Sequence, residues 1–123
     1  MRLMSFALTT EQMRRRIKTV TRRTGWDFLE AGMQVQPVEK AMGLGKGGKV
    51  KLIGQPILII GRRAEPLYRM IDEPEYGAKE AELEGFPGWT GAQFVAFICK
   101  QPGIVPARVL NRIEFAHAGT ENA

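Results

Sequence analysis

Cysteine and histidine are almost absent from this chain of 123 residues, which holds one of each, Cys99 and His117. A single cysteine excludes a disulfide within the chain, and one histidine without partners makes a poor metal ligand set. We therefore expect no metal and no cofactor, and a reducing, cytoplasmic setting. Cys99 is expected to be a small buried apolar side chain, and His117 is expected to lie near a frayed terminus without a role.

Long apolar runs are also missing. No stretch approaches the ~20 residues of a membrane-spanning helix, so we expect no membrane partner. The first residues turn polar too early for a signal peptide, and there is no internal repeat. The glycine-rich stretch at 42–50 lacks the Gly-Lys-Ser/Thr ending of a P-loop and predicts a hairpin tip or lid. We expect a single domain over 1–123, with an ordered core at about 4–116 and a C-terminal tail at 117–123.

Charge is abundant but unevenly spread. Residues 1–63 hold 13 Lys/Arg against 4 Asp/Glu, whereas residues 64–123 hold 5 Lys/Arg against 9 Asp/Glu. The whole chain carries a net charge of +5. The basic half is densest in "RRRIKTVTRR" at 14–23, and such a face attracts phosphate or another anion. The alternative is a solvated basic surface, which we expect for Arg14 and Arg15.

Helices are predicted at two capping boxes, in which a threonine and a glutamine three residues later satisfy free backbone amides. Thr9 and Gln12 begin a short helix that extends to about Arg16. Thr90 and Gln93 begin a second helix, which ends before Pro102. A third short helix over the acidic segment is predicted to end near Gly85, whose backbone freedom suits a helix C-terminus.

Strands are predicted where short β-branched runs lie between glycines and prolines. Because few of these units form β-α-β repeats, a bent mixed sheet or barrel is favoured over a doubly wound fold. We expect an α+β fold with five to six strands and two to three short helices. The expected strands lie within 4–8, 19–23, 33–38, 56–60, 65–71 and 107–118.

Five short motifs follow one another along residues 4–116. They are "MSFALTTEQ", "KTVTRR", "FLEAGMQV", "ELEGF" followed by "AQFVAFI", and "VLNRIEF". Together they resemble an ASCH domain of the PUA-like superfamily. "KTVTRR" is similar to the family signature Gly-x-Lys-Thr-x-Thr-x-Arg, and "FLEAGMQV" to a turn that usually contains Leu-x-x-Gly-Asp. Arg16 stands where the signature has glycine, and Met33 stands where the turn has aspartate.

The resemblance implies a PUA-like β-barrel with a cleft for RNA or a modified nucleobase. It also implies catalysis of the kind found in N4-acetylcytidine amidohydrolases, with Lys18, Thr21 and Glu84 as the matching trio. A lysine can act as a base when burial or neighbouring cations lower its pKa, and a glutamate can then donate a proton to the leaving amine. Lys18 and Thr21 converge only if the chain bends between them, since strand side chains alternate.

Four functional alternatives remain open on the sequence alone. One is RNA or nucleotide binding by a basic cleft, for which the expected contacts are Lys18, Thr19, Arg22, Arg23 and Trp26. A second is a hydrolase, either an amidohydrolase or a ribonuclease, that uses the trio. A third is a protein-interaction module whose basic face docks an acidic partner. In the fourth, Lys18 and Glu84 form a structural salt bridge, Thr21 packs, and Trp26 and Trp89 only fill space.

Overall fold

The computed structural model describes residues 1–41 and 48–119 and has an α+β fold. Most of the glycine-rich segment and the end of the expected tail lie outside the described residues. Within them there are five strands and four helices. In chain order these are β1 (Leu3–Ser5), α1 (Thr10–Arg14), β2 (Val20–Arg23), β3 (Gln34–Val38), β4 (Ile57–Pro66), α2 (Arg69–Asp72), α3 (Pro74–Leu83), α4 (Gly91–Ile98) and β5 (Val109–Ala116).

The strands form one mixed sheet in the order β1-β3-β4-β5-β2. Only β1 and β3 run parallel, and the long antiparallel pair of β4 and β5 is the centre of the sheet. In the described part of the chain the edge strands β1 and β2 share no ladder, so the sheet is not closed into a barrel. The two edges nevertheless approach each other, because Arg23 Nη2 donates to the carbonyl of Ser5 at 2.5 Å.

Two hydrophobic clusters fill the interior. The first lies on the sheet and includes Met4, Phe6 and Phe115, and the second lies among the helices and includes Met70 and Phe94. Alternating burial along β4 and a three-to-four-residue spacing in α4 place these side chains inward. The division into two clusters leaves a polar seam between the sheet and the helices.

The prediction of an extra strand over "EPLYRMI" is wrong. The second half of this segment forms α2 instead, so the described residues contain four helices and not the expected two to three. Strand β4 runs on to Pro66, and the backbone amides of Leu67 and Tyr68 then bond to the carbonyls of Arg108 and Pro106. Leu67 and Met70 are both fully buried three residues apart, a spacing that suits one helical turn. Tertiary burial therefore overrides the strand preference of this segment.

Of the two predicted capping boxes, the one at α4 forms and the one at α1 does not. At α4, Gln93 N–H donates to Thr90 Oγ1 and Thr90 N–H donates to Gln93 Oε1, as expected. At α1, Thr9 makes no side-chain cap, and the hydroxyl of Thr10 instead donates to the carbonyl of Phe6 at 2.8 Å. Within the described residues, no helix combines the length and the apolar composition needed to cross a membrane.

Candidate functional site

A cleft of about 340 Å³ opens where the edges of the sheet approach each other. Its walls come from the chain after β1, from β2, and from α4 with the loop that follows it. Lys18, Thr21, Arg23, Trp26 and Glu84 all line it. The cleft therefore brings together residues that are separated by up to 66 positions in the sequence.

A tight helix end places Lys18 in this cleft. After α1, the amide of Arg16 bonds to the carbonyl of Met13 and that of Ile17 bonds to the carbonyl of Gln12. This pattern is a Schellman motif, which requires a left-handed residue just beyond the helix. Arg16 is that residue, with φ of +61°. The glycine of the family signature would meet the same requirement without strain.

A second Schellman motif places Glu84. Helix α3 ends at Leu83, and Gly85, with φ of +104°, follows Glu84 in the left-handed position. The amides of Gly85 and Phe86 bond to the carbonyls of Glu82 and Ala81. A Cβ on Gly85 would lie 2.7 Å from Gln12 Cγ and 3.3 Å from Lys18 Cβ. The ends of α1 and α3 can therefore meet closely only because this residue is glycine.

Lys18 and Glu84 form a buried ion pair. Lys18 Nζ lies 2.6 Å from Glu84 Oε1 and also donates to the Glu84 carbonyl at 2.9 Å. Their side chains are 3% and 2% exposed. Burial lowers the pKa of Lys18, and the charges of Arg23 and Arg22 act in the same direction against the attraction of Glu84. The pair thus combines a desolvated amine with a carboxylate that satisfies it.

Arg22 lies at the centre of a wider buried charge network. Its Nη1 donates to Glu84 at 2.9 Å, and its Nη2 donates to Glu65 at 2.9 Å and to Glu80 at 2.6 Å. Glu80 also receives two hydrogen bonds from Arg112, at 2.6 and 2.9 Å. Arg22 Nε is the one buried side-chain polar atom of the described residues that has no hydrogen-bond partner. Because Arg22 is engaged by three carboxylates, we exclude it from the binding set proposed below.

Arg23 differs from Arg22 because no carboxylate of the described residues pairs with it. Its Nε donates to Thr21 Oγ1 at 3.2 Å, and its guanidinium lies 4.5 Å from the centre of the Phe6 ring. Thr21 and Arg23 share one face of β2, since they are two residues apart in a strand. This face carries a hydroxyl and a cation into the same cleft.

Trp26 forms another part of the wall in an unusual backbone conformation. Its φ is +64°, which is rare for a bulky residue. Asn111 holds the flanking loop by donating from Nδ2 to the Gly25 carbonyl and, at 2.7 Å, to Asp27. Trp26 packs partly against the sheet cluster and contacts Phe28, with ring centres 5.6 Å apart. Its ring is thereby fixed at the rim of the cleft.

Three of the residues singled out in the sequence lie elsewhere. Thr19 is not in the cleft wall, and its amide and carbonyl tie the start of β2 to Leu83 and Phe115. Trp89 packs against Phe86 in the helix cluster, with ring centres 4.4 Å apart. His117, expected at the start of the C-terminal tail, is instead buried against the core, and its Nε2 lies 2.7 Å from the carbonyl of Lys18.

Sequence reasoning missed most of the charge network. Glu80, Glu65 and Arg112 were not singled out, although all three are buried and bonded to Arg22 or to each other. One signal was present, because Glu80 in α3 and Glu84 at its C-cap are four residues apart, a spacing that places both side chains on the same side of the helix. The partners on β4 and β5 have no such local signal, since only the strand pairing brings them next to β2.

No protein-family model, no curated protein and no solved structure matches this chain.

Proposed function

We propose that this chain is a PUA-like, ASCH-type domain that binds RNA or a nucleotide by holding one nucleobase in the cleft. The observation that carries the proposal is the convergence of Lys18, Thr21, Arg23, Trp26 and Glu84 on one concave site. Such sites pair an apolar wall with a few fixed polar groups, which is the usual composition of small-ligand pockets. A planar base suits an aromatic rim next to polar donors.

The size of the cleft favours one nucleotide over a longer segment. Ligand pockets commonly measure ~300–1,000 Å³, and this cleft, at about 340 Å³, lies at the lower end of that range. Trp26 in the cleft wall offers a ring for stacking. An RNA would then insert a single unpaired base while its backbone follows the basic surface outside.

The backbone at two points supports the ASCH-type assignment. Arg16 adopts the left-handed conformation at the position where the family signature has glycine. The edges of the sheet approach each other at Arg23 and Ser5, as they would in a barrel closed by side chains at this seam. The departure at Arg16 therefore preserves the local backbone that the signature glycine would give.

RNA binding can be tested by fluorescence anisotropy with short single-stranded oligonucleotides of cytidine and uridine. We expect saturable binding that weakens steeply as salt rises, because phosphate contacts release counterions. Arg23→Gln should weaken binding at least tenfold. Arg15→Gln, at an exposed arginine of the same basic run, should weaken it much less. Equal losses in both variants would show that a diffuse basic surface, and not the cleft, binds RNA.

A second function, hydrolysis of an N-acylated base, is favoured by the placement of the trio. With the proton of the Lys18–Glu84 pair on Glu84, the neutral Lys18 amine would accept the proton of Thr21 Oγ as this oxygen attacks the amide carbonyl; the lowered pKa of Lys18 makes its neutral form more available. The Lys18–Glu84 pair would then pass a proton to the leaving amine. Water would hydrolyse the resulting ester and restore the Thr21 hydroxyl. Arg23 Nε, which already donates to Thr21 Oγ1, would favour the deprotonated oxygen.

The hydrolase is tested by turnover of N4-acetylcytidine to cytidine, followed by chromatography. Because Lys18 and Glu84 are buried, their substitution risks unfolding, so Thr21 is the better position to change. Thr21→Val keeps the shape and removes the hydroxyl, and Thr21→Ser keeps the hydroxyl. The proposal expects cytidine from the wild type and from Thr21→Ser but not from Thr21→Val. Equal turnover in all three proteins would exclude Thr21 as the nucleophile.

A further inference from the structure

The buried charges of this protein balance among themselves. Among the described residues, the buried side chains with full charges are three cations and three carboxylates: Lys18, Arg22, Arg112, Glu65, Glu80 and Glu84. Every one of them has an ion-pair partner within this set at 2.9 Å or less. The network is thus complete and requires no further counterion.

Arg23 also lines the cleft, but it forms no ion pair with any described residue. Its Nε and Nη2 are used by Thr21 Oγ1 and the Ser5 carbonyl, both uncharged acceptors. No described residue accepts a hydrogen bond from Nη1. One face of the guanidinium is covered by Phe6, which removes water from it. Burial lowers the pKa of Arg23 to about 10 in spite of the Glu84 charge, which acts in the opposite direction.

An arginine in this condition is well suited to a bound anion. Its guanidinium remains charged at neutral pH, is partly desolvated, and is held in one orientation by two hydrogen bonds and a ring. The cost of desolvating and ordering the side chain has therefore been met before any ligand arrives. A planar guanidinium with unused N–H groups matches the oxygens of a phosphate.

We infer that Arg23 forms a phosphate subsite of the cleft, so that the preferred ligand is a nucleotide and not the uncharged nucleoside. The inference rests on the proposed function and specifies its ligand class. The lack of a carboxylate partner at Arg23 carries it, since the buried cations around it are already paired and an anionic group would supply the one counter-charge that Arg23 lacks. The same chemistry is offered by the monoester of a free nucleotide and by the diester of an RNA chain.

Isothermal titration of the full chain separates these possibilities. The ligands are cytidine, cytidine 5′-monophosphate, cytidine 3′-monophosphate and the dinucleotide CpC, all at low salt. We expect at least one phosphate-bearing ligand to bind about tenfold more tightly than cytidine, the scale of a charge-assisted contact. A preference for a monophosphate over CpC identifies the monoester as the source, and the reverse preference identifies the diester.

Variants link the preference to Arg23. In Arg23→Gln the ratio of nucleotide to nucleoside affinity should fall to about one, whereas Arg23→Lys should restore part of it and Arg15→Gln should leave it unchanged. Thermal melting of each variant checks that the fold is intact. Equal affinity for cytidine and all phosphate-bearing ligands would overturn the subsite and leave base binding intact. If none of the four ligands binds, both the subsite and nucleotide binding by the cleft are refuted.

Discussion

At the scale of single residues, two non-glycine residues at or near the cleft have a left-handed backbone conformation. Arg16 and Trp26 are the only such non-glycine residues in the described chain, with φ of +61° and +64°. Each costs about 1–2 kcal/mol relative to ordinary backbone. Strain of this kind persists where neighbouring structure fixes it, and it is concentrated at functional sites. Arg16 lies two residues before Lys18 in the chain, and Trp26 forms part of the cleft wall.

Replacing Arg16 by glycine should relieve one of these strains. Glycine adopts the left-handed conformation freely, although it also gains freedom in the unfolded chain. We expect Arg16→Gly to raise the free energy of unfolding by about 0.5–1 kcal/mol in urea denaturation. Arg15→Gly is the matched control, because Arg15 has an ordinary φ of −80° and should lose about 0.5–1 kcal/mol instead. Equal effects at both positions would contradict the assignment of strain to Arg16.

The acid stability of the protein should depend on Glu80. Burial alone would raise the pKa of Glu80, but the hydrogen bonds from Arg112 and the charge of Arg22 lower it to about 2. A carboxylate with a lowered folded-state pKa stabilises the fold above its unfolded pKa of 4.5, and that contribution is lost as pH falls toward 2.

This dependence can be measured by comparing the wild type with Glu80→Gln across the same pH range. The stability advantage of the wild type should shrink by roughly 3 kcal/mol between pH 4.5 and 2, since the pKa is lowered from 4.5 to about 2. An advantage that stays constant over this range would show that Glu80 titrates normally in the folded protein.

At the scale of elements, two glycines let the helices approach closely. Gly77 of α3 and Gly91 of α4 both face the carbonyl of Met70, and a Cβ on either would lie 1.9–2.0 Å from that oxygen. This contact sets the position of α3, which carries Glu80 and precedes Glu84. The geometry of the charge network therefore depends on helix packing at a point remote from the cleft.

An added methyl group at Gly77 should disturb this packing. We expect Gly77→Ala to lower the free energy of unfolding by about 2–3 kcal/mol, because the obstructing atoms are backbone and cannot rotate away. The control is Gly61→Ala in β4, where nothing lies within 4 Å of an added Cβ and stability should be unchanged or slightly higher. Similar losses in both variants would contradict the close approach of the helices.

The elements predicted from sequence were those with a complete local signal. The capping box at Thr90, the end of α3 at Gly85 and the last strand have such signals, and all three are present. The box at Thr9 did not form because Thr9, with φ of −132° and ψ of 32°, lacks the extended backbone of an N-cap residue, which Thr90 has. The predicted strand over 65–71 failed because its burial depends on contacts with the chain around 106–108, which no local pattern shows.

The residues of the candidate site could also be predicted only in part from the sequence. The signature in "KTVTRR" located Lys18, Thr21 and Arg23, and the glutamate of "EGF" located Glu84. The sequence left open whether Lys18 and Glu84 pair, and in the structure they do. That Arg22 is neutralised and Arg23 is not could not be predicted, because the difference depends on which face of β2 meets helix α3 and strands β4 and β5.

At the scale of the whole molecule, the two halves of the sequence neutralise each other. Arg22 comes from the basic half, whereas Glu65, Glu80 and Glu84 come from the acidic half. Folding therefore buries Lys18 and Arg22 of the basic run at 14–23, whereas Arg14, Arg15 and Arg16 stay exposed. The network also ties together the beginning, middle and end of the chain through β2, α3 and β5.

Breaking the network at its centre should destabilise the entire fold. Arg22→Met removes the cation that three buried carboxylates share and leaves excess negative charge in the interior, and we expect a loss of about 3–5 kcal/mol in the free energy of unfolding. Arg14→Met is the control, since Arg14 pairs with Glu39 at the surface and its loss should cost less than about 1 kcal/mol. Chemical denaturation measures both, and comparable losses would show that the buried network contributes no more than a surface pair.

Binding of a nucleobase in the cleft at the edges of the sheet can be tested with the two tryptophans, because only Trp26 lines the cleft. Trp26 lies in the cleft wall, whereas Trp89 packs in the helix cluster outside it. The measurement is a titration of ¹⁵N-labelled protein with cytidine 5′-monophosphate, followed by the two indole N–H signals. We expect a saturable shift of the Trp26 indole signal together with the backbone amides of residues 21–24, and an unchanged Trp89 signal. A shift of Trp89 alone, or no shift at millimolar nucleotide, would contradict it.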